Sequence, residues 1–143
     1  MINKDLFLVK AKRIDNGEWV EGYLYVYSRI DKYIIYRYEK DVNVESVSYE
    51  IDPTTICRFT GLYKNNQKVW ENDIIKYHFG EDMAAIKFGK YQNCFDSQKV
   101  CHYGFYVDWQ SCYLRKDLGY WIEMLDDSNI IGNIFDNPEI LEK

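Results

Sequence analysis

Apolar and polar positions alternate with a period of two through most of the first sixty residues, in runs rich in β-branched and aromatic side chains cut by short turn signals. That is the pattern of an antiparallel meander with one buried face. Phe7 to Ile14 reads as the first strand. Asp15-Asn16-Gly17-Glu18 follows it, and Asn-Gly predicts a type I′ hairpin because both residues tolerate positive φ. Trp19 to Tyr27 returns as its partner. Ser28 to Lys32 is a polar turn before Tyr33 to Tyr38. Val42 to Ile51 alternates again and is ended by Asp52-Pro53, because proline cannot donate to a ladder. Ile56 to Phe59 adds a short strand.

After Gly61 the pattern continues with a polar turn at Lys64-Asn65-Asn66-Gln67, the pair Val69-Trp70, a bend at Glu71-Asn72-Asp73, and a strand from Ile74 to Phe79. Gly80-Glu81-Asp82 turns the chain into Ala84 to Phe88. Gly89 to His102 is polar and mixed, and is expected to be a long mobile loop or insertion. Tyr103 to Asp108, Tyr120 to Leu125 and Ile130 to Phe135 read as the remaining strands, with Trp109 to Gly119 a connection of undefined form. Asp136 or Asn137 is placed to cap a short helical turn with Pro138 at its first position. No stretch carries a convincing amphipathic helix, and no internal repeat or low-complexity linker interrupts the chain. The expectation is an all-β, mainly antiparallel fold with a meander over residues 1–59, a small barrel over 60–143, and a short C-terminal helical turn.

Composition narrows the class. At 143 residues the chain is too short for a large α/β barrel, and with 47% hydrophobic residues, 14 Tyr, 7 Phe and 4 Trp it can build a core. The formal charge of −5 has the wrong sign for a protein that coats nucleic acid indiscriminately. No apolar run approaches the roughly 20 residues of a membrane helix, and the opening MINKDLFLVKAKR is too polar for a secretory leader, so a cytoplasmic location, where thiols stay reduced, is expected. Cys57, Cys94, Cys101 and Cys112 form no C-x-x-C pair.

Chemistry is sparse. The phosphate-loop, dinucleotide, nucleophile-elbow and metalloprotease signatures are all missing, so no enzyme activity and no cofactor are expected. Cys94, Cys101, His102 and Cys112 hold zinc-ligand chemistry, but spacings of seven and eleven lack the close pairs of structural zinc sites, so no metal is expected either. His78 lies between Tyr77 and Phe79 with no partner in sequence. Glu81-Asp82 and Asp126-Asp127 read as turn and surface acids. Tyr23, Tyr25 and Tyr27 alternate with Leu24 and Val26, which puts three phenols on one sheet face beside Arg29, Lys32 and Arg37 in sequence. Such a face suits a protein interface, and a homo-oligomer is the expectation. The alternative is a platform on which nucleic acid stacks. Residues 1 to 40 carry eight Lys or Arg against six acids, a surplus of two that is small for such a platform.

Two segments go further. Thr60-Gly61-Leu62-Tyr63-Lys64-Asn65-Asn66-Gln67-Lys68-Val69-Trp70-Glu71-Asn72-Asp73-Ile74-Ile75 resembles the T-G-L-K-D-K-N-G-K-E-I-Y-E-G-D-I-V signature of the YopX family, and Ile130-Ile131-Gly132-Asn133-Ile134-Phe135-Asp136-Asn137-Pro138-Glu139-Ile140-Leu141 is similar to its V-I-G-N-I-Y-E-N-P-E-L-L. The sequence departs where Asn72 replaces a glycine and Asn66-Gln67 an Asn-Gly; asparagine tolerates a left-handed backbone better than other non-glycine residues. The motif residues Gly61, Leu62, Asp73, Ile74, Gly132, Asn133 and Pro138 read as architectural, with Ile74, Ile75, Ile131 and Ile134 filling a core. The resemblance implies a small bacteriophage or prophage protein with a β or barrel-like fold, no established activity and no catalytic residue to carry over. Its expected partners are further copies of itself and a host or phage protein.

Overall fold

The fold is given by a computed structural model that describes residues 2–37, 47–77, 82–111, 113–124 and 128–142. Antiparallel strands dominate, as the alternation predicts. The chain divides into two compact units, Met1–Phe59 and Thr60–Lys143.

In the first unit β1 (Val9–Lys12), β2 (Trp19–Tyr27), β3 (Lys32–Arg37) and β4 (Val47–Glu50) form a meander in the order β4-β3-β2-β1, with the start of β5 (Cys57–Lys64) on the free side of β1. Val9, Ala11, Val20, Ile35 and Ile51 make its core, with Leu24, Tyr33, Tyr49 and Ile56 packed against them. The first strand is shorter than predicted. Lys4–Phe7 is a 3₁₀ turn whose N-cap Asn3 accepts a hydrogen bond from the Asp5 N–H at 3.1 Å.

The β1–β2 turn also differs from the type I′ expectation. Only Gly17 has positive φ, at +72°. The loop spans four residues, Glu18 O accepts from Arg13 N, and Asn16 uses its side chain to accept from Glu18 N at 2.9 Å. Along β2, pairing passes from β1 at Gly22 to β3 at Tyr23. A Cβ at Gly22 would collide with the Tyr36 backbone, so glycine permits that close approach.

Asp52-Pro53 ends the fourth strand as predicted. Asp52 caps the 3₁₀ turn Pro53–Thr55, and the buried Thr55 hydroxyl accepts from Lys12 N at 2.9 Å.

In the second unit the rest of β5 leads through a two-residue turn into β6 (Gln67–Trp70). A four-stranded sheet follows, β7 (Asp73–Tyr77), β8 (Met83–Tyr91), β9 (His102–Val107) and β10 (Ser128–Asn133), in the order β10-β7-β8-β9. Among the described residues β9 and β10 are not paired with each other, so this sheet is open where a barrel would close it. The type I′ turn is here: Asn65 and Asn66 both have positive φ, +52° and +64°. Asparagine therefore carries the turn without the glycine usual in the motif. Asn72 likewise has φ of +74°, and its N–H donates to Ile86 O at 2.8 Å.

The other motif residues have defined structural work. Gly61 has φ of +84°, and Thr60 before it donates its hydroxyl to Val69 O at 2.7 Å. Leu62 packs on the core formed by Val69, Ile75, Ala84, Ile86, Val107, Trp109, Leu118, Trp121 and Ile122. Ile74 and Ile75 are fully buried. Ile131 is not, because a register shift between Ile130 and Gly132 leaves it unpaired and outward, while Ile130 packs inward. Asn133 accepts from the N–H groups of Phe135 and Asp136, and its own N–H donates to Asn137 Oδ1 at 3.3 Å. A side chain at Gly132 would collide with that Asn137 amide. Pro138 starts the 3₁₀ turn Pro138–Leu141, as expected, with Asn137 at the cap position.

One predicted strand is a helical turn. Tyr120–Met124 is a π-type turn that buries Trp121 and Ile122. Trp121 donates from Nε1 to Arg115 O at 2.6 Å and packs edge-on to Tyr77 and Trp109. A short aromatic and β-branched run reads the same as strand or buried turn, and here packing decides. Among the described residues no helix is long and apolar enough to cross a membrane.

Candidate functional site

Two places gather the sequence-selected residues. The first is the outer face of the first unit's sheet. In antiparallel pairing, directly opposed residues share a face, and register puts Tyr23 opposite Tyr36, Tyr25 opposite Ile34 and Tyr27 opposite Lys32. One strand further, Ser48 lies opposite Tyr36 and Glu50 opposite Ile34. Tyr23, Tyr25 and Tyr27 are therefore brought together, with Tyr36 added by β3. Tyr25 is 51% and Tyr27 39% exposed. Their ring centroids are 4.5 Å apart, and Tyr36 stands edge-on to Tyr25 at 6.4 Å. A hydrogen bond with Tyr36 raises the Tyr27 pKa above its ordinary value.

The aliphatic side of β2 is only half as expected. Leu24 packs into the core, whereas Val26 is 43% exposed because the far end of β2 extends beyond that core.

Charges on the tyrosine face are mixed. Lys32 and Glu50 share it, and toward β1 the pairs Glu21–Lys10 and Trp19–Lys12 continue it. Lys10 and Lys12 lie over the Trp19 ring at 4.6 and 5.3 Å. Arg37 alternates onto the opposite face, because its neighbour Tyr36 occupies this one.

The second place is the end of the β8–β9 pair. The predicted mobile loop is shorter than its sequence suggests, because Gly89–Tyr91 continue β8 and His102 opens β9, in register opposite Tyr91. Tyr91 stacks between His102 and Tyr106, at 5.0 and 5.1 Å, and donates its hydroxyl to Asp117 at 2.7 Å. Burial foremost, with the Asp117 carboxylate second, pushes the Tyr91 phenol well above its ordinary pKa. Asn93, buried, donates to the other Asp117 oxygen at 3.0 Å and accepts from Lys116 N at 2.7 Å. Arg115 approaches Asp117 at 3.6 Å.

These bonds frame a cleft of about 810 Å³ lined by Lys90, Tyr91, Gln92, Asn93, Cys94, Asp96, Lys99, Cys101 and Lys116. Cys94 and Cys101 are exposed thiols on its wall. The His102 ring engages Asp96 at 3.1 Å rather than a thiol, and Cys101 Sγ accepts from Gln92 at 3.4 Å. Among the described residues no three His, Cys, Asp or Glu side chains are grouped to hold a metal ion. Cys112, His78, Glu81, Asp126 and Asp127 lie outside the described residues.

Sequence reasoning missed this cleft. Its walls are joined by Tyr91, Asn93 and Asp117 across more than twenty residues, a pairing with no local signal. The family model described as YopX protein matches residues 10–142. No curated protein and no solved structure matches the chain.

Proposed function

The chain belongs to the YopX family, and from that premise we propose that it is a non-enzymatic phage or prophage accessory protein that works in the host cytoplasm by protein–protein binding, and that a second copy of the chain packs on the tyrosine face. The observation that carries the reading is the composition of that face. Tyr25 and Tyr27 are large, exposed and adjacent, while Lys32 and Glu50 put both signs of charge beside them. In a two-fold interface each copy offers the same patch, so a face with both signs can match itself. Tyrosine suits the role, apolar in its body and polar at its tip.

Lys10, Lys12 and Lys32 beside Trp19 and the tyrosines favour the second reading, single-stranded nucleic acid stacked on this face. Glu21 and Glu50 on the same face oppose phosphate.

Light scattering coupled to size exclusion tests the proposal. The expected mass is a multiple of one chain at micromolar concentration, falling to one chain in Tyr25→Glu. A single-chain mass for the parent protein refutes self-association, and an oligomer indifferent to Tyr25→Glu refutes this face. Tight oligonucleotide binding that weakens steeply with salt and is lost in the same variant establishes the second reading instead.

A further inference from the structure

We propose that the cleft at the β8–β9 end is an anion site for a small organic ligand carrying a diphosphate or longer phosphate group. Lys90, Lys99 and Lys116 all line it. Among the described residues none of the three ammonium groups has a carboxylate partner, although the chain as a whole carries 23 acids to 18 bases. The acids at hand are held by other groups than these lysines. Asp96 faces His102, and Asp117 receives Tyr91, Asn93 and Arg115. Three lysines against the one carboxylate in the lining, Asp96, leave the concavity with a positive excess that a multiply charged anion relieves.

Two further observations point the same way. Lys116 is only partly exposed, and its N–H donates to Asn93 Oδ1 at 2.7 Å, which anchors it at the cleft. Lys99 has φ of +47°, a left-handed backbone that lysine rarely adopts, and the Asp96 carbonyl and the Gln92 amide hold it there by bonds to Lys99 N and Lys99 O. Strain held in this way at a cleft rim fixes where a side chain emerges. The volume of about 810 Å³ falls in the range of small-molecule sites, large enough for a phosphate group with an organic moiety attached. Lysine, a point charge with three donors, suits phosphate oxygens.

Inorganic pyrophosphate is the probe. Because Cys94 and Cys101 share the cleft wall, it should slow their capture by a maleimide, read peptide by peptide in a mass spectrometer, relative to chloride at equal ionic strength. Half-protection should need about tenfold more pyrophosphate for each lysine replaced, the factor expected for a lost hydrogen bond to a charged group. Lys90→Gln with Lys116→Gln thus weakens protection about a hundredfold, while Lys76→Gln on β7 leaves it unchanged. Should the double variant fail to fold, Lys99→Gln, at an exposed position, makes the same comparison with a loss of about tenfold. Protection no greater than that of matched chloride, or equal protection in the lysine variants, overturns the proposal. Protection by a single-stranded oligonucleotide without protection by pyrophosphate overturns it too.

Discussion

The buried carboxylate of Asp73 offers a sharp test of how the second unit holds its turns. Asp73 is 6% exposed and opens β7. Its Oδ2 accepts from Trp70 N at 2.8 Å, across a turn whose third residue, Asn72, is left-handed. Trp70 is itself 5% exposed, so its N–H has no water to turn to. A hydrogen bond to a charged acceptor contributes about 1.5–3 kcal/mol, and a buried donor left unpaired costs about 1–3 kcal/mol. These overlap, because losing the acceptor is what strands the donor. Asp73→Ala should therefore cost about 2–4 kcal/mol in total. Asp73→Asn keeps a carbonyl acceptor of the same reach and should cost about 1 kcal/mol. Urea unfolding followed by tryptophan fluorescence in a Trp19→Phe background reads the second unit, where Trp70, Trp109 and Trp121 lie. With an m-value of about 1–1.5 kcal/mol/M, Asp73→Ala lowers the midpoint by roughly 2 M and Asp73→Asn by less than about 1 M. Equal losses in the two variants would refute the reasoning, since they would show that the acceptor is not what the position supplies.

Two further predictions follow from single residues. Asn72→Gly should be neutral or stabilising by less than about 1 kcal/mol and Asn72→Ala destabilising by about 1 kcal/mol, because only alanine pays the full steric cost at φ of +74°; equal midpoints for the two in the same assay would contradict this. Tyr91 is an acid whose folded-state pKa is raised above its usual 10.0 by burial and by Asp117, so the unfolded chain releases this proton first. Its contribution is complete below about pH 10 and is lost as pH climbs above that value. Tyr91→Phe should make the alkaline fall in stability shallower, and an unchanged slope in urea midpoints from about pH 9 to about pH 11 would refute it.

What the sequence determined by itself was whatever is decided within a few residues. Alternation put Tyr23, Tyr25 and Tyr27 on one face, because the side-chain period of a strand is a local property. The Asp52-Pro53 stop and the Pro138 start follow from a fixed φ and a missing donor. The bends at Asn66, which has lost the motif's following glycine, and at Asn72, which replaces one, are kept because asparagine tolerates the left-handed region. Tertiary structure decided what local preference leaves equal. Tyr120–Met124 coils instead of extending because Trp121 finds Tyr77, Trp109 and the Arg115 carbonyl. Ile130 rather than Ile131 faces the core because a one-residue bulge inverts the alternation. Asn16-Gly17 carries the richer hairpin signal, yet the pairing of Arg13 with Glu18 set a four-residue loop there, and the type I′ turn formed at Asn65-Asn66. The cleft is the extreme case. Lys90, Lys99 and Lys116 share it because Tyr91 and Asn93 reach Asp117 across the chain, and such a pairing depends on strand register and chain path, which no window of neighbouring residues encodes.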